Sequence, residues 1–133
     1  MKMLKKAASV ALASALVFSL AACGNNGGGS EGSSDADTFK IGGIGPTTGD
    51  NAIYGTAVKN GIQLAVDEIN EAGGINGYQI EYQFEDDQSD SEKSVNAYNT
   101  LKDWGMQMLV GTVTSTPCTA VVEETHADNM FQL

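Results

Sequence analysis

The chain contains no arginine, a single histidine, two prolines and two cysteines among its 133 residues. Seventeen acidic residues outnumber seven lysines, which gives a formal net charge of −10 at pH 7. A protein that neutralises nucleic-acid phosphates needs clustered basic side chains, and this sequence offers no such patch. One histidine without a paired nucleophile also makes no catalytic triad. The composition therefore argues against nucleic acid as a partner and against a triad hydrolase.

The chain also lacks an apolar run as long as a transmembrane helix needs, which is about 20 residues. The run from Ala7 to Leu20 follows Lys2, Lys5 and Lys6 and has the layout of a signal peptide. We expect residues 1–22 to be removed. Cleavage there takes away three lysines, so 111 residues with a net charge of −13 would remain.

The residues Leu20-Ala21-Ala22-Cys23 close this apolar run and resemble the lipobox of bacterial lipoproteins, in which the cysteine becomes the lipidated first residue. An ordinary A-x-A cleavage site and a weak membrane anchor are the alternatives, and both leave Cys23 without a role. An acyl chain adds membrane affinity of about 0.8 kcal/mol per buried CH₂. We predict lipidation of Cys23 and an extracytoplasmic, lipid-anchored location on a bacterial cell membrane.

Residues 23–38 are rich in glycine, serine, asparagine and acidic residues. Such a composition buries no apolar surface and is typical of a flexible tether, with a root-mean-square reach of about 20 Å. We expect this segment to separate the folded part of the chain from the lipid surface.

Strand and helix patterns alternate along residues 39–133. The strand patterns are Phe39–Ile44, Tyr78–Glu85, Met106–Val110 and Met130–Leu133, and the helix patterns are Ala52–Ala72, Ser89 to about Asp103, and Thr116 to about Asp128. This alternation predicts a partial doubly wound, Rossmann-like parallel α/β sheet with the strand order 2-1-3-4. About 95 residues are fewer than such sheets normally use, so we expect a truncated domain.

Spacing predicts which side chains of these elements face the core. The three predicted inward sets are Val58, Ile62, Ala65 and Ile69 on the first helix, Val95, Tyr98, Leu101 and Trp104 on the second, and Tyr78, Ile80, Tyr82 and Phe84 on one face of the second strand. The opposite face of that strand is polar, which favours a position at the sheet edge.

Two helix starts carry capping signals. Ser89-x-x-Glu92 resembles a capping box, and Thr116-Pro117 resembles an N-cap followed by proline at the first helical position. The acidic run from Glu85 to Asp90 could instead be taken for a calcium loop. It lacks the glycine and the distant glutamate of that pattern, and acids that favour a helix N-terminus explain it better.

Three further features point to weaker hypotheses. The glycines at 43, 45 and 49 superficially resemble a dinucleotide fingerprint, but their spacing is wrong and Pro46 lacks an N–H for a pyrophosphate. His126 fits a solvated position on the third helix. Cys118 is either a packed thiol or the partner of a cysteine beyond Leu133.

The folded part resembles the N-terminal lobe of branched-chain amino-acid binding proteins, the type I periplasmic binding proteins that serve ABC importers. The stretches that carry the resemblance are Gly45-Pro46-Thr47-Thr48-Gly49 with Tyr54-Gly55, Ala65 to Gly77 with its DEIN-x-AGG-x-NG pattern, Glu85 to Asp90, Val95 to Tyr98, and Val110 to Ser115. The resemblance implies two lobes that close over a small solute, of which this chain holds only part of the first.

The resemblance also implies the site. Ser115, within Thr114-Ser115-Thr116, matches the hydroxyl that receives the α-carboxylate of the ligand together with helix amides, and Tyr54 matches an aromatic residue that packs on the ligand. A helix N-terminus independently offers unpaired donors to an anion, and Cys118 and Thr119 are expected to supply theirs. Simple capping by Thr116, a solvated Ser115, and a Tyr54 that only staples its helix are the alternatives.

These features together predict a solute-binding lipoprotein of an ABC importer that binds a branched-chain or related amino acid and presents it to the permease subunits. It would need no cofactor, metal or catalytic residue. One alternative is the extracellular sensing domain of a receptor with the same fold. A surface enzyme on a Rossmann-like sheet is a second alternative, which the absence of an acid/base or nucleophile constellation disfavours.

Overall fold

A computed structural model describes residues 38–133. Its elements, in chain order, are β1 (Thr38–Gly45), α1 (Ala52–Glu71), β2 (Gln79–Asp86), α2 (Ser91–Asp103), β3 (Met108–Val110), α3 (Ser115–Asp128) and β4 (Phe131–Gln132). The predicted signal peptide, Cys23 and the tether up to residue 37 lie outside the described residues. Among residues 38–133, no helix combines the length and the apolar composition that crossing a membrane requires.

All three strand pairings are parallel, and the sheet has the order β2-β1-β3-β4. This confirms the predicted α/β class, the 2-1-3-4 order and the edge position of the second strand. β1 begins at Thr38, one residue before its predicted start. β3 is shorter than predicted, because Met106 still belongs to the turn that ends α2, where its amide donates to the carbonyl of Leu101 at 3.0 Å, and the strand begins at Met108.

The core lies between the sheet and the pair α2 and α3. Its buried members are Ile44, Ala97, Tyr98, Leu101, Met106, Leu109 and Val121, with Trp104 and Met130 packed against them. The predicted inward face of the second helix is therefore confirmed, with Val95 partly buried. Burial of a large apolar side chain contributes about 1.5–3 kcal/mol, so this face supplies most of the attachment of α2.

α1 packs on the opposite face of the sheet, where Lys59 lies over the ring of Phe84. Its predicted inward face is partly wrong. Gly55 and Val66 are the buried residues of this helix, whereas Val58 and Ala65 are exposed. Gly55 is buried because the helix begins close against the preceding turn, where a β-carbon at this position would lie 1.8 Å from the carbonyl oxygen of Pro46.

The capping box predicted at Ser89 is also wrong. Asp90 is the N-cap of α2, and its side chain accepts a hydrogen bond of 2.9 Å from the amide of Lys93. Aspartate caps a helix as well as serine does, so the helix begins one position later and the cap accepts from the amide of Lys93 instead of that of Glu92. The end of α1 agrees with the prediction, since Gly73 and Gly74 adopt φ of 100° and 81° just beyond it.

Candidate functional site

The carboxyl ends of the parallel strands meet at one edge of the sheet. Residues 46–51 follow β1, residues 87–90 follow β2, and residues 111–114 follow β3. In open α/β sheets, ligands bind in the crevice outside these strand ends, where the strand order reverses. Here the order reverses between β1 and β3, so the loop after β3 borders the crevice.

Thr114 is the N-cap of α3, with φ of −113° and ψ of 149°, and Ser115 is the first residue of the helix. The predicted N-cap at Thr116 is wrong by two positions. Pro117 is consequently the third helical residue and is buried. Proline is tolerated there because the amides of the first turn have no helical acceptor in any case.

The donors at this helix end also differ from the prediction. The amide of Cys118 donates to the carbonyl of Thr114 at 3.0 Å, so it belongs to the helix and is not free for a ligand. The amides of Ser115 and Thr116 lie in the first turn, where an α-helix leaves its N–H groups without an acceptor. The positive end of the helix dipole lies at the same place, which favours an anion.

Hydroxyl groups add to these amides. Ser115 is exposed, whereas the hydroxyl oxygen of Thr114 is buried and has no hydrogen-bond partner within residues 38–133. A buried polar atom without a partner costs about 1–3 kcal/mol, so an acceptor or donor that reached Thr114 would recover that energy. The helix end therefore combines two amides and two hydroxyls that can meet an oxyanion.

An open cavity of about 440 Å³ starts at this helix end and runs along α3. Its lining consists of Thr112, Val113, Thr114, Ser115, Cys118, Thr119 and Val122. Two predicted site residues, Thr114 and Ser115, are thus brought together. Thr116 and Tyr54 are not part of the lining, and Tyr54 is 63% exposed on the first turn of α1.

Three lining residues were not identified from the sequence as site residues, namely Thr112, Val113 and Val122, and Cys118 and Thr119 were predicted only as backbone donors. A signal for the helical ones exists in the spacing, because Cys118, Thr119 and Val122 follow Ser115 by three, four and seven residues and share one helix face. The thiol of Cys118 is free and partly buried, 3.8 Å from the side-chain nitrogen of Gln132.

The acidic run at the end of β2 makes internal contacts. Asp86 accepts hydrogen bonds from the turn after β1, and Asp90 caps α2. Asp87 is completely buried, and burial raises the pKa of its carboxyl group. Within the described part of the chain, no group of three or more His, Cys, Asp or Glu side chains is arranged to hold a metal ion.

A second cavity, of about 330 Å³, opens toward the amino ends of the strands. It is lined by Phe39, Ile41, Ile75, Asn76, Tyr78, Ile80 and Met108. Its walls are almost entirely apolar and carry none of the donors that the end of α3 offers. The first cavity is therefore the candidate site for a charged solute.

Comparison with known proteins identifies relatives of the whole described region. Residues 38–132 match the model of the family described as periplasmic binding protein. The Leu/Ile/Val-binding protein BraC3 of Rhizobium johnstonii is 47% identical over 75 residues, which cover 56% of this chain and 20% of the relative. A leucine-, isoleucine-, valine-, threonine- and alanine-binding protein of Pseudomonas aeruginosa is 39% identical over 92 residues, 67% of this chain and 25% of the relative.

Among solved structures, the chain is similar to the branched-chain amino acid transporter substrate-binding protein LivJ of Streptococcus pneumoniae, determined in complex with isoleucine. The TM-score is 0.68 at 38% identity, and the match covers 71% of this chain and 28% of that one. The chain thus spans about a fifth to somewhat more than a quarter of the relatives it matches. By the family match, which extends over nearly all of the described residues, the chain belongs to the periplasmic binding protein family and has the α/β sheet of its type I members.

Proposed function

We propose that the chain is the N-terminal part of the first lobe of an extracytoplasmic solute-binding protein that serves an ABC importer. Its ligand would be a branched-chain or related amino acid. The names of the Rhizobium and Pseudomonas relatives and the isoleucine complex of the Streptococcus protein support this proposal. The second lobe and the hinge would belong to the remainder of a longer protein, since the matched region covers only 20–28% of the relatives.

The observation that carries the proposal is the donor set at the start of α3. The α-carboxylate of an amino acid would accept hydrogen bonds from the hydroxyl of Ser115 and from the amides of Ser115 and Thr116. Thr114, with its unpartnered buried hydroxyl, would complete this set. Hydrogen bonds to a charged group contribute about 1.5–3 kcal/mol each, so fixed donors at this position supply affinity and orientation.

Tyr54 would pack on the ligand from the other side of the crevice. Its exposure leaves the ring free to do so, because 63% of the residue is accessible in the described lobe. Closure of the two lobes would then bury the charged ends of the solute, and the ligand would select the closed state by its higher affinity for it. This cycle of capture and release to permease subunits requires no covalent chemistry and no cofactor.

The proposal is tested by calorimetric titration of the full-length protein with leucine, isoleucine, valine, threonine and alanine. We expect saturable binding of at least one of them. The matched control is 2-methylbutylamine, which keeps the side chain and the amine of isoleucine but lacks the carboxylate. Loss of binding to this amine is expected, and equal affinity for isoleucine and the amine would contradict the role of the α3 donors.

We further propose export and anchoring of the protein through residues 1–22 as a signal peptide, Cys23 as the lipidated residue and residues 23–37 as a tether, since Thr38 already belongs to β1. The order of lysines, apolar run and Cys23 supports this proposal. The test is incorporation of a labelled fatty acid and recovery in the membrane fraction. Cys23→Ser should abolish both, whereas Cys118→Ser, which changes the other cysteine of these 133 residues, should leave both intact.

A further inference from the structure

The carboxylate of Asp86, at the end of β2, receives four hydrogen bonds. One oxygen accepts from the amides of Thr47, Thr48 and Gln88 at 2.8, 3.4 and 3.1 Å, and the other accepts from the hydroxyl of Thr48 at 2.5 Å. Burial alone would raise the pKa of Asp86, but these hydrogen bonds outweigh it and hold the pKa below its usual range. Asp86 is therefore an anion at neutral pH that gathers donors from two turns.

The turn that Asp86 holds connects β1 to α1. Thr47 and Thr48 lie in it, and the helix that follows carries Tyr54 in its first turn. The side-chain amide of Asn51, at the end of the same turn, donates to the hydroxyl of Ser89 at 3.0 Å. The turn after β1 is therefore tied to the turn after β2 by side chains at both of its ends.

The turn after β2 is itself in an unfavourable backbone conformation. Gln88 and Ser89 both have positive φ, 52° and 60°, a left-handed conformation that is strained for a residue other than glycine. Such residues persist only where the surroundings determine their conformation. Here Asp86 accepts from the amide of Gln88, and Asp87 accepts from the amide of Ser89 at 2.8 Å.

The end of β1 also touches the loop that borders the candidate cavity. A β-carbon at Gly45 would lie 2.4 Å from the side chain of Val113, which is one of the lining residues. A β-carbon at Gly111 would lie 2.7 Å from the carbonyl oxygen of Ile44. A displacement of the turn after β1 would therefore move Tyr54 and would also shift the loop that leads to Ser115.

We propose that Asp86 is a positioning residue for the amino-acid site: it fixes the turn between β1 and α1, and through it Tyr54, without contacting the ligand. This inference rests on the proposed function of the site. Asp86 differs from an acid that only stabilises the lobe, because its bonds end on the segment that carries Tyr54. Its loss should therefore lower ligand affinity more than it lowers the stability of the fold.

The test uses calorimetric titration of the full-length protein with isoleucine. Asp86→Ala should weaken binding at least tenfold. Asp86→Asn should stay within threefold of the wild type, because its carbonyl oxygen can accept from the amides of Thr47 and Thr48 and its NH₂ can donate to the hydroxyl of Thr48. Asp90→Ala is the matched control, since it removes the same charge and a cap of α2 without touching the turn after β1, and it should stay within twofold.

A double-mutant cycle separates positioning from general stability. In a Tyr54→Ala background, Asp86→Ala should cost less than threefold, because the residue through which it acts is already absent. An equal loss in both backgrounds, or a lower melting temperature with unchanged affinity, would overturn the inference. Should Asp86→Ala fail to fold, Thr48→Val replaces it in the test, since Thr48 is exposed. We expect Thr48→Val to weaken isoleucine binding threefold. Its control, Thr56→Val on α1, should leave isoleucine binding unchanged.

The outcomes also distinguish this inference from the function on which it rests. If the wild-type protein binds isoleucine and Ser115→Ala weakens that binding while Asp86→Ala does not, the positioning role is wrong and the site stands. If the wild-type protein binds none of the five amino acids, the proposed function fails and the positioning role fails with it.

Discussion

Gly55 lies directly against the carbonyl oxygen of Pro46, at a separation that leaves no room for a β-carbon. This contact sets how closely α1 approaches the turn after β1. We predict that Gly55→Ala destabilises the protein by about 1–3 kcal/mol, the usual cost of overpacking. A lower free energy of unfolding, measured by denaturation of the full-length protein, would show this.

The control for this prediction lies on the same helix. Nothing comes within 4 Å of a β-carbon at Gly61, which is exposed in the middle of α1. Gly61→Ala should therefore stabilise the protein by about 0.5–1 kcal/mol, the difference in helix propensity. If Gly55→Ala and Gly61→Ala change the free energy of unfolding in the same direction, the contact between Gly55 and Pro46 does not determine the effect of Gly55→Ala.

Ser115→Ala should weaken binding of a carboxylate-bearing amino acid by about 1.5–3 kcal/mol, the contribution of a hydrogen bond to a charged group. The measurement is calorimetric titration of the full-length protein. Ser91→Ala is a matched control, since Ser91 is the first residue of α2 as Ser115 is of α3. Its effect on affinity should be below about 0.5 kcal/mol. An unchanged dissociation constant for Ser115→Ala would remove this residue from the site.

Asp128 connects α3 to α2 and should make stability depend on pH. It pairs with Lys102 and accepts from the buried hydroxyl of Tyr98 at 3.0 Å, and these two contacts, that of Lys102 foremost, lower its pKa. A carboxyl group with a lowered pKa in the folded state stabilises above its unfolded pKa, about 3.9, and this stabilisation disappears as pH falls through the folded value.

We therefore expect Asp128→Asn to lower the melting temperature at pH 6–7, with a difference from the wild type that shrinks as pH falls below about 3.9. The measurement is thermal unfolding across this pH range. Asp103→Asn, an exposed position at the end of α2, provides the same change of charge without the two partners. A constant difference between wild type and Asp128→Asn at every pH would contradict the assignment.

Asp87 should act in the opposite sense. Its carboxyl group is completely buried, only one of its oxygens has a hydrogen-bond partner within residues 38–133, and burial raises its pKa. A carboxyl group whose pKa is higher in the folded state than in the unfolded state stabilises the fold fully below its unfolded pKa. This stabilisation is lost as pH rises through the folded pKa.

Asp87→Asn replaces the carboxyl group with a neutral amide, so this stability is no longer lost as pH rises. The amide oxygen can still accept from the backbone amide of Ser89. We expect the variant to melt above the wild type at pH 7–8, with a difference that narrows toward pH 4. Asp103→Asn serves as the control, because it makes the same change of charge at an exposed position at the end of α2. A variant that melts below the wild type throughout would mean that the buried oxygen of Asp87 has a favourable partner when charged.

The sheet order could be predicted from the alternation of strand and helix patterns, and the inward face of α2 from the single apolar stripe along that helix. α1 has two adjacent stripes. Val66, Ile62 and Ile69 form one with Gly55, and the second contains Tyr54, Val58 and Ala65. Spacing alone cannot decide between two stripes, and a glycine adds no hydrophobicity to the stripe that is in fact buried.

The site residues were predicted largely from the resemblance. Ser115 was proposed because it matches the carboxylate-receiving hydroxyl of the resembled family, and the affinity of a helix N-terminus for anions supports that hypothesis. Asp86 was not singled out, since its role depends on where Thr47 and Thr48 lie, 39 and 38 residues away along the chain. Ser89 and Asp90 are both good caps, so the choice between them depended on the backbone of the preceding turn.

The central position of β1 has a consequence for the time course of folding. Both of its neighbours come later in the chain, β2 after one helix and β3 after two. At synthesis rates of about 5–20 residues per second, the roughly 65 residues between the ends of β1 and β3 take about 3–13 s to appear. Throughout that interval the backbone of β1 has an open hydrogen-bonding edge. β1 gains its second neighbour only when β3 emerges, so the proposed export of the protein would have several seconds in which to begin on a nascent polypeptide whose sheet cannot yet close.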